Sequence, residues 1–175
     1  LVNYIENADQ AALLLRQAQR ILVIGCSGSG KSTLSQKIAA LKGLAYISMD
    51  RDVYWLPGWK DRPRPEAMSL IEGFVAGPAW IMDGTSPRTM PLRLPRTDIV
   101  LWLRPHRFVS LYGVIRRWLH YRGRTRPEMA DGCPERISRE FLSYIWNFEK
   151  TQSPRLVEMF EQYGPGIPVV IIRSR

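Results

Sequence analysis

Two cysteines are all that the 175-residue sequence holds, Cys26 and Cys133, and they stand far apart in no CxxC or Cys/His grouping. That spacing argues against a disulfide framework and against a zinc site, and both thiols are expected to be reduced. No apolar run approaches the ~18 consecutive residues of a membrane span. The first twenty residues lack the basic, apolar and small-residue succession of a secretory signal. A cytoplasmic protein without a membrane partner is the expectation. Only two histidines occur, His106 and His120, and neither has triad partners in view. Lysine is missing between Lys60 and Lys150. The positive charge of that interval is arginine: Arg88 to Arg126 holds ten arginines against one acid, Asp98, and this stretch accounts for the formal net charge of +9. The chain begins at Leu1 rather than Met and stops just after an apolar run, so one or both natural ends are expected to lie outside it.

What is present, 45% apolar residues and 13 glycines, suits one compact domain over 1–175 with a real core. Five short apolar runs read as buried strands: Ile21–Ile24, Leu44–Ile47, Ala79–Met82, Ile99–Leu103 and Val169–Ile172. They are continuous rather than alternating, as strands covered on both faces should be. Helical patterns lie between them. Leu34, Ile38 and Leu41 share one face, Val109, Leu111, Val114, Ile115, Trp118 and Leu119 another, and Phe141, Tyr144, Ile145 and Phe148 a third, which reads as core. Asn7 and Gln10 form a capping box for a further helix, Ala8 to Gln19. Strand and helix in alternation predict an α/β fold, a five-stranded parallel sheet between two layers of helices. Two stretches interrupt the rhythm, 55–66 with three prolines and two tryptophans, and 122–135 with three arginines. Both are long for plain connections, which favours functional loops.

The strongest chemical signal is Gly25-Cys26-Ser27-Gly28-Ser29-Gly30-Lys31-Ser32, a complete G-x-x-x-x-G-K-[ST] pattern followed by Thr33. It follows a strand and opens a helix, the context that a phosphate-binding loop requires. Its glycines let backbone N–H groups turn inward as an anion nest, and the helix N-terminus adds partial positive charge beneath the phosphates. Lys31 is expected to reach the outer phosphates and Ser32 to ligate Mg²⁺. Asp83 ends the third strand at the carboxyl edge of the sheet, near that metal position. Asp50 and Asp52 follow the second strand at the same edge. There an acid can orient a hydroxyl that attacks phosphorus, or be an ordinary surface acid.

The sequence resembles the adenylate-kinase-like P-loop kinases and, within them, the bacterial group labelled "DNA topology modulation protein", or FlaR-type. GCSGSGKSTL, MDRDVYWLPGW, WIMDGTSPRT, RLPRTDIVLWL and RRWLHYRGRTRPEMADGCPERI followed by FLSYIWNF carry the resemblance from Ile21 to Phe148. It implies a three-layer P-loop NTPase of the nucleoside-monophosphate-kinase kind, an ATP site, and an Arg-rich lid, here about 122–135, with an acceptor-side insertion at about 51–78. It also implies that Asp50 binds the acceptor hydroxyl, as the matching Asp does in shikimate and gluconate kinases. Ser48 departs from the acid that related metabolite kinases often carry two residues before this Asp. The chain ends at Arg173-Ser174-Arg175, where such kinases continue through an adenine-contacting loop.

A planar guanidinium can clamp two oxygens of a transferring phosphoryl group. Arg116, Arg122, Arg124 and Arg126 are the lid candidates, with Arg116, Arg122 and Arg126 as the catalytic set beside Lys31 and Asp50. Arg88 is placed to meet an acceptor phosphate or carboxylate. Arg93, Arg96, Arg104 and Arg107 read as solvated or paired charges. Trp55 and Trp59 either wall a flat acceptor or pack the acceptor-side insertion. The reading is an ATP- and Mg²⁺-dependent kinase of a small molecule or nucleotide. The alternative is a nucleotide-gated DNA- or protein-binding regulator, for which the basic charge speaks, although no helix-turn-helix, zinc-finger or RNP pattern is present.

Overall fold

A computed structural model describes residues 1–173. The end of the chain at Ser174 and Arg175, on which the expectation about an adenine-contacting loop bears, lies outside the described residues. Six parallel strands form one sheet in the order β1 (Asn3–Tyr4), β8 (Pro168–Ile172), β7 (Ile99–Leu103), β2 (Arg20–Gly25), β6 (Trp80–Asp83) and β3 (Ala45–Ser48). The five apolar runs are all strands of it. The sixth, β1, is a correction to the expected count: it is two exposed residues at the edge, with Asn3 opposite Pro168 and Tyr4 opposite Val169. A strand that buries nothing leaves no apolar run to read.

Strand β2 shows why the sheet is covered twice. Successive side chains of a strand point to opposite faces, and Ile21 through Gly25 are all buried. Ile21 and Val23 join an apolar cluster with Leu14 and Leu15 of α1 (Ala8–Gln17) and Ile38 and Ala39 of α2 (Lys31–Lys42). Leu22 and Ile24 join a second, larger cluster. It contains Ile71 of α3 (Arg64–Ala76), Met90 of α4 (Met90–Arg93), Val114 of α5 (Arg107–His120), Phe148 of α6 (Arg139–Thr151) and Phe160 of α7 (Ser153–Tyr163). Each side chain of this kind removed from water contributes about 1.5–3 kcal/mol, so the two clusters fix which face of each helix turns inward. The Asn7 side chain accepts from the Gln10 N–H at 2.9 Å, the expected cap, and α1 ends at Gln17, two residues earlier than expected.

Two insertions leave this frame at the carboxyl edge. After β3 the chain makes a π-helical turn, Met49–Tyr54, then the short hairpin β4 (Trp55–Leu56) and β5 (Lys60–Asp61) before α3. After α5, residues 121–138 form a loop closed on itself by an antiparallel bridge between Thr125 and Pro134.

Helix α5 departs from the face expected of it. Val109, Ile115 and Leu119 are exposed, and the inner face carries Ser110, Val114 and, half-buried, Arg117. The reason is close approach. A Cβ on Gly28 would collide with the Ser110 carbonyl oxygen and stand 2.8 Å from Val114 Cγ2, so only glycine at 28 lets the helix sit against the loop. Tyr144, expected in the core, is 38% exposed, whereas Ile145 and Phe148 are buried as expected.

Candidate functional site

The loop between β2 and α2 forms the floor of the site. Gly28 and Gly30 have φ of 78° and 97°, the left-handed region that favours glycine, and turn the chain into the first residue of α2, Lys31. Ser27, Gly28, Ser29, Gly30, Lys31, Ser32 and Thr33 line one cleft of about 950 Å³ together with Gly25. The Lys31 ammonium donates to the Cys26 carbonyl at 2.9 Å, within the loop itself. Burial pushes its pKa below the ordinary value, and the nearby Asp83 carboxylate opposes that shift. Cys26 is a packed thiol, its pKa raised to about 11 chiefly by burial, and both cysteines are free.

Asp83 ends β6 directly beside β2 and β3, opposite Val23 and Ser48, and faces the same cleft. Burial pushes its pKa up, while Lys31 and hydrogen bonding from Ser32 favour the charged form. The Tyr46 hydroxyl donates to Asp83 Oδ2 at 3.2 Å. Burial and Asp83 together raise the pKa of that hydroxyl, so it remains a donor. Among the described residues no group of three His, Cys, Asp or Glu side chains forms a protein cage for a metal. One hydroxyl and one carboxylate beside the glycine loop suit Mg²⁺, which keeps several waters and takes further oxygens from substrate phosphates. Ser32 and Asp83 fit that role.

Asp50 sits in the turn beyond β3 and lines the cleft. Its Oδ2 is 3.3 Å from Arg126 Nη2. Asp52 is spent locally: it accepts from the Ser48 N–H at 2.8 Å and pairs with Arg51 at 2.7 Å.

The candidate arginines divide. Arg116 and Arg126 line the cleft. Arg122 stacks over Trp118 at 5.3 Å, and Arg88 is exposed in a 3₁₀ turn; neither is among the cleft-lining residues. Trp55 and Trp59 do not line it either. Their rings meet edge to face at 5.1 Å and pack against Met129, Ala130 and Cys133 of the 122–135 loop. Trp55 also lines a second, smaller cavity of about 440 Å³ with Arg51, Arg62 and Arg126. The Trp59 N–H donates to Cys133 Sγ at 3.1 Å, the Gly58 N–H to the Asp131 carbonyl at 3.1 Å, and Ser48 Oγ to the Glu128 carbonyl at 3.0 Å. The loop is therefore tied down onto the β4–β5 hairpin and the end of β3.

Several site residues were not singled out from sequence. Arg117, beside Arg116, lines the cleft and pairs through Nε with Glu135 at 3.0 Å. Three positions after Val114 on the inner face of α5, its helical phase was the available signal. Thr85 Oγ1 accepts from the Gly25 N–H and donates to the Gly25 carbonyl, both at 2.7 Å. Arg93, expected among solvated or paired charges, is instead 0% exposed. It donates to the carbonyls of Gly84 at 2.8 Å and Ser86 at 2.9 Å, and burial lowers its pKa to about 10, which leaves it charged at neutral pH. No sequence pattern marks an arginine that serves carbonyls.

No family model and no curated protein matches this chain. Among solved structures, the fold is similar to that of a shikimate kinase from Acinetobacter baumannii in complex with shikimate, with a TM-score of 0.61 at 14% identity over 94% of this chain and 88% of that one. A deoxyadenosine kinase from M. mycoides with bound dATP matches at 15% identity and a TM-score of 0.49, over 88% of this chain and 90% of that one. Among the described residues no helix is long and apolar enough to cross a membrane. The shikimate kinase likeness bears out the α/β P-loop fold expected from the motifs.

Proposed function

We propose that the protein is an ATP-dependent phosphotransferase that phosphorylates a small acceptor bearing a hydroxyl or a phosphate. The observation that carries this reading is the convergence of Lys31, Asp83, Asp50, Arg116, Arg117 and Arg126 on one cleft floored by the glycine loop. The fold shared with a shikimate kinase supports the reaction class. Phosphoryl transfer asks little covalent chemistry of the protein. It asks for positioning and for positive charge at the equatorial oxygens.

In this reading the loop N–H groups and Lys31 hold the donor polyphosphate. Ser32 and Asp83 hold Mg²⁺, which neutralises charge on the phosphates. Asp50 orients the acceptor hydroxyl, and Arg116, Arg117 and Arg126 stabilise the charge that spreads during transfer. The 122–135 loop, docked on the hairpin, excludes water from the reacting atoms. The test is ADP release with Mg²⁺ and ATP across a panel of sugar, shikimate-like and nucleotide acceptors. Acceleration by at least one acceptor is expected. No acceleration above a Lys31→Ala background overturns the reading.

A second reading, a nucleotide-gated duplex binder, is favoured by Arg88, Arg96, Arg107, Arg122 and Arg124, all exposed. It requires nucleotide-dependent duplex binding that survives physiological salt, because phosphate contacts alone weaken steeply as salt rises.

A further inference from the structure

Glu135 is the buried carboxylate behind the arginine cluster. Its side chain is 7% exposed, and it is absent from the residues that line the cleft, whereas Arg117 and Arg126 line it. A single oxygen, Oε1, lies 3.0 Å from Arg117 Nε and 2.9 Å from Arg126 Nε. The two arginines come from different elements, Arg117 from α5 and Arg126 from the 122–135 loop. The bridge between Thr125 and Pro134 folds the loop back so that residue 135 returns beside residue 126. Neither Nε has a well-aligned hydrogen bond, so the contact is one of charge more than of direction.

Two guanidiniums brought together in a half-buried place repel each other. Burial and the charge of Arg126 both weigh against the charged form of Arg117, and Glu135 opposes them in part. With Asp50 at the Nη2 of Arg126, the contacts run Asp50, Arg126, Glu135, Arg117 with alternating sign.

Resting on the phosphotransferase reading, we propose that Glu135 is a positioning residue that holds Arg117 and Arg126 side by side so that both meet the phosphoryl group in transfer. It touches neither donor nor acceptor and acts through the two arginines. Preorganised charge of this kind favours the transition state over the ground state. Loss of Glu135 therefore weakens binding of a transition-state mimic while leaving binding of ground-state nucleotide in place.

The experiment compares calorimetric affinity for Mg²⁺·ADP with that for Mg²⁺·ADP plus aluminium fluoride, in the unaltered protein, Glu135→Gln and Glu135→Asp. Aluminium fluoride is expected to tighten ADP binding to the unaltered protein. In Glu135→Gln that enhancement falls about 10-fold or more, while affinity for ADP alone stays within about 2-fold. Glu135→Asp, which keeps the charge, recovers part of the enhancement. Equal enhancement in Glu135→Gln and the unaltered protein overturns the inference, as does none in the unaltered protein when ADP binds. So does a parallel loss of ADP affinity and melting temperature in Glu135→Gln, which is the mark of a structural brace. Failure of the unaltered protein to bind ADP at all overturns the phosphotransferase reading and this inference with it.

Discussion

Thr85 closes its hydroxyl on both backbone groups of Gly25, 2.7 Å from the nitrogen and 2.7 Å from the oxygen. The segment that leaves the sheet after Asp83 is thereby fastened to the first residue of the glycine loop. Neither residue bears the chemistry, yet their contact sets where the loop begins relative to Asp83.

Thr85→Val keeps the shape of the side chain and removes the hydroxyl. Leaving the Gly25 groups without that partner costs about 1–3 kcal/mol. Urea denaturation should show a lower midpoint with unchanged slope, and nucleotide affinity should fall with it. An unchanged midpoint would mean that the bond contributes nothing.

Asp98 gives the pH dependence. Burial alone would raise its pKa, but the Arg20 guanidinium and the backbone N–H groups of Arg20 and Gln19 hold the carboxyl below its usual range. Because the folded pKa is depressed, the unfolded chain binds the proton more readily. The stabilisation is complete above the unfolded value of about 3.9 and is lost as pH falls through the folded one. Asp98→Asn should remove about 1–3 kcal/mol at pH 7, toward the lower end because the pair is partly solvated. The unaltered and variant denaturation curves should draw together below about pH 4.

Arg93 carries the largest expected penalty for a residue outside the cleft lining. Its guanidinium serves two carbonyls from a fully buried place. Arg93→Met fills the volume but leaves both carbonyls without the donor. A loss of about 2–5 kcal/mol is expected, from unsatisfied buried polar groups. Thermal denaturation checks it, and a loss below about 0.5 kcal/mol would show that the carbonyls find other partners.

The sheet was legible in the sequence because buried parallel strands are continuous apolar runs, and all five such runs are strands. The glycine loop was legible because glycines at that spacing between a strand and a helix mark a turn that needs positive φ. What escaped was set by neighbours rather than by pattern. Edge strand β1 buries nothing, so it has no signature. Helix α5 is apolar round much of its circumference, and its inward face is decided by how closely Ser110 must approach Gly28. Arg93 and Glu135 look like surface charges until the tertiary fold closes over them. Trp55 and Trp59 left two uses open in the sequence, and their packing against the 122–135 loop depends on a hairpin that no local pattern announces.

The arginines supply the sharpest comparison, because ten occur between Arg88 and Arg126 and their placement separates them. Arg126 faces the cleft and contacts Asp50 at 3.3 Å. Arg122 lies over Trp118, a cation–π contact of about 0.5–1 kcal/mol, and is not among the residues that line the cleft. On the proposed reaction, Arg126→Ala should lower turnover about 100-fold or more, the scale of losing one preorganised donor to the transition state. Arg122→Ala should stay within about 2-fold, the range of a surface change of about 0.5 kcal/mol. Steady-state kinetics with saturating ATP measures both. Equal losses would mean that the 122–135 loop rearranges on binding until Arg122 joins the cluster, and the division drawn from the docked loop would then fail.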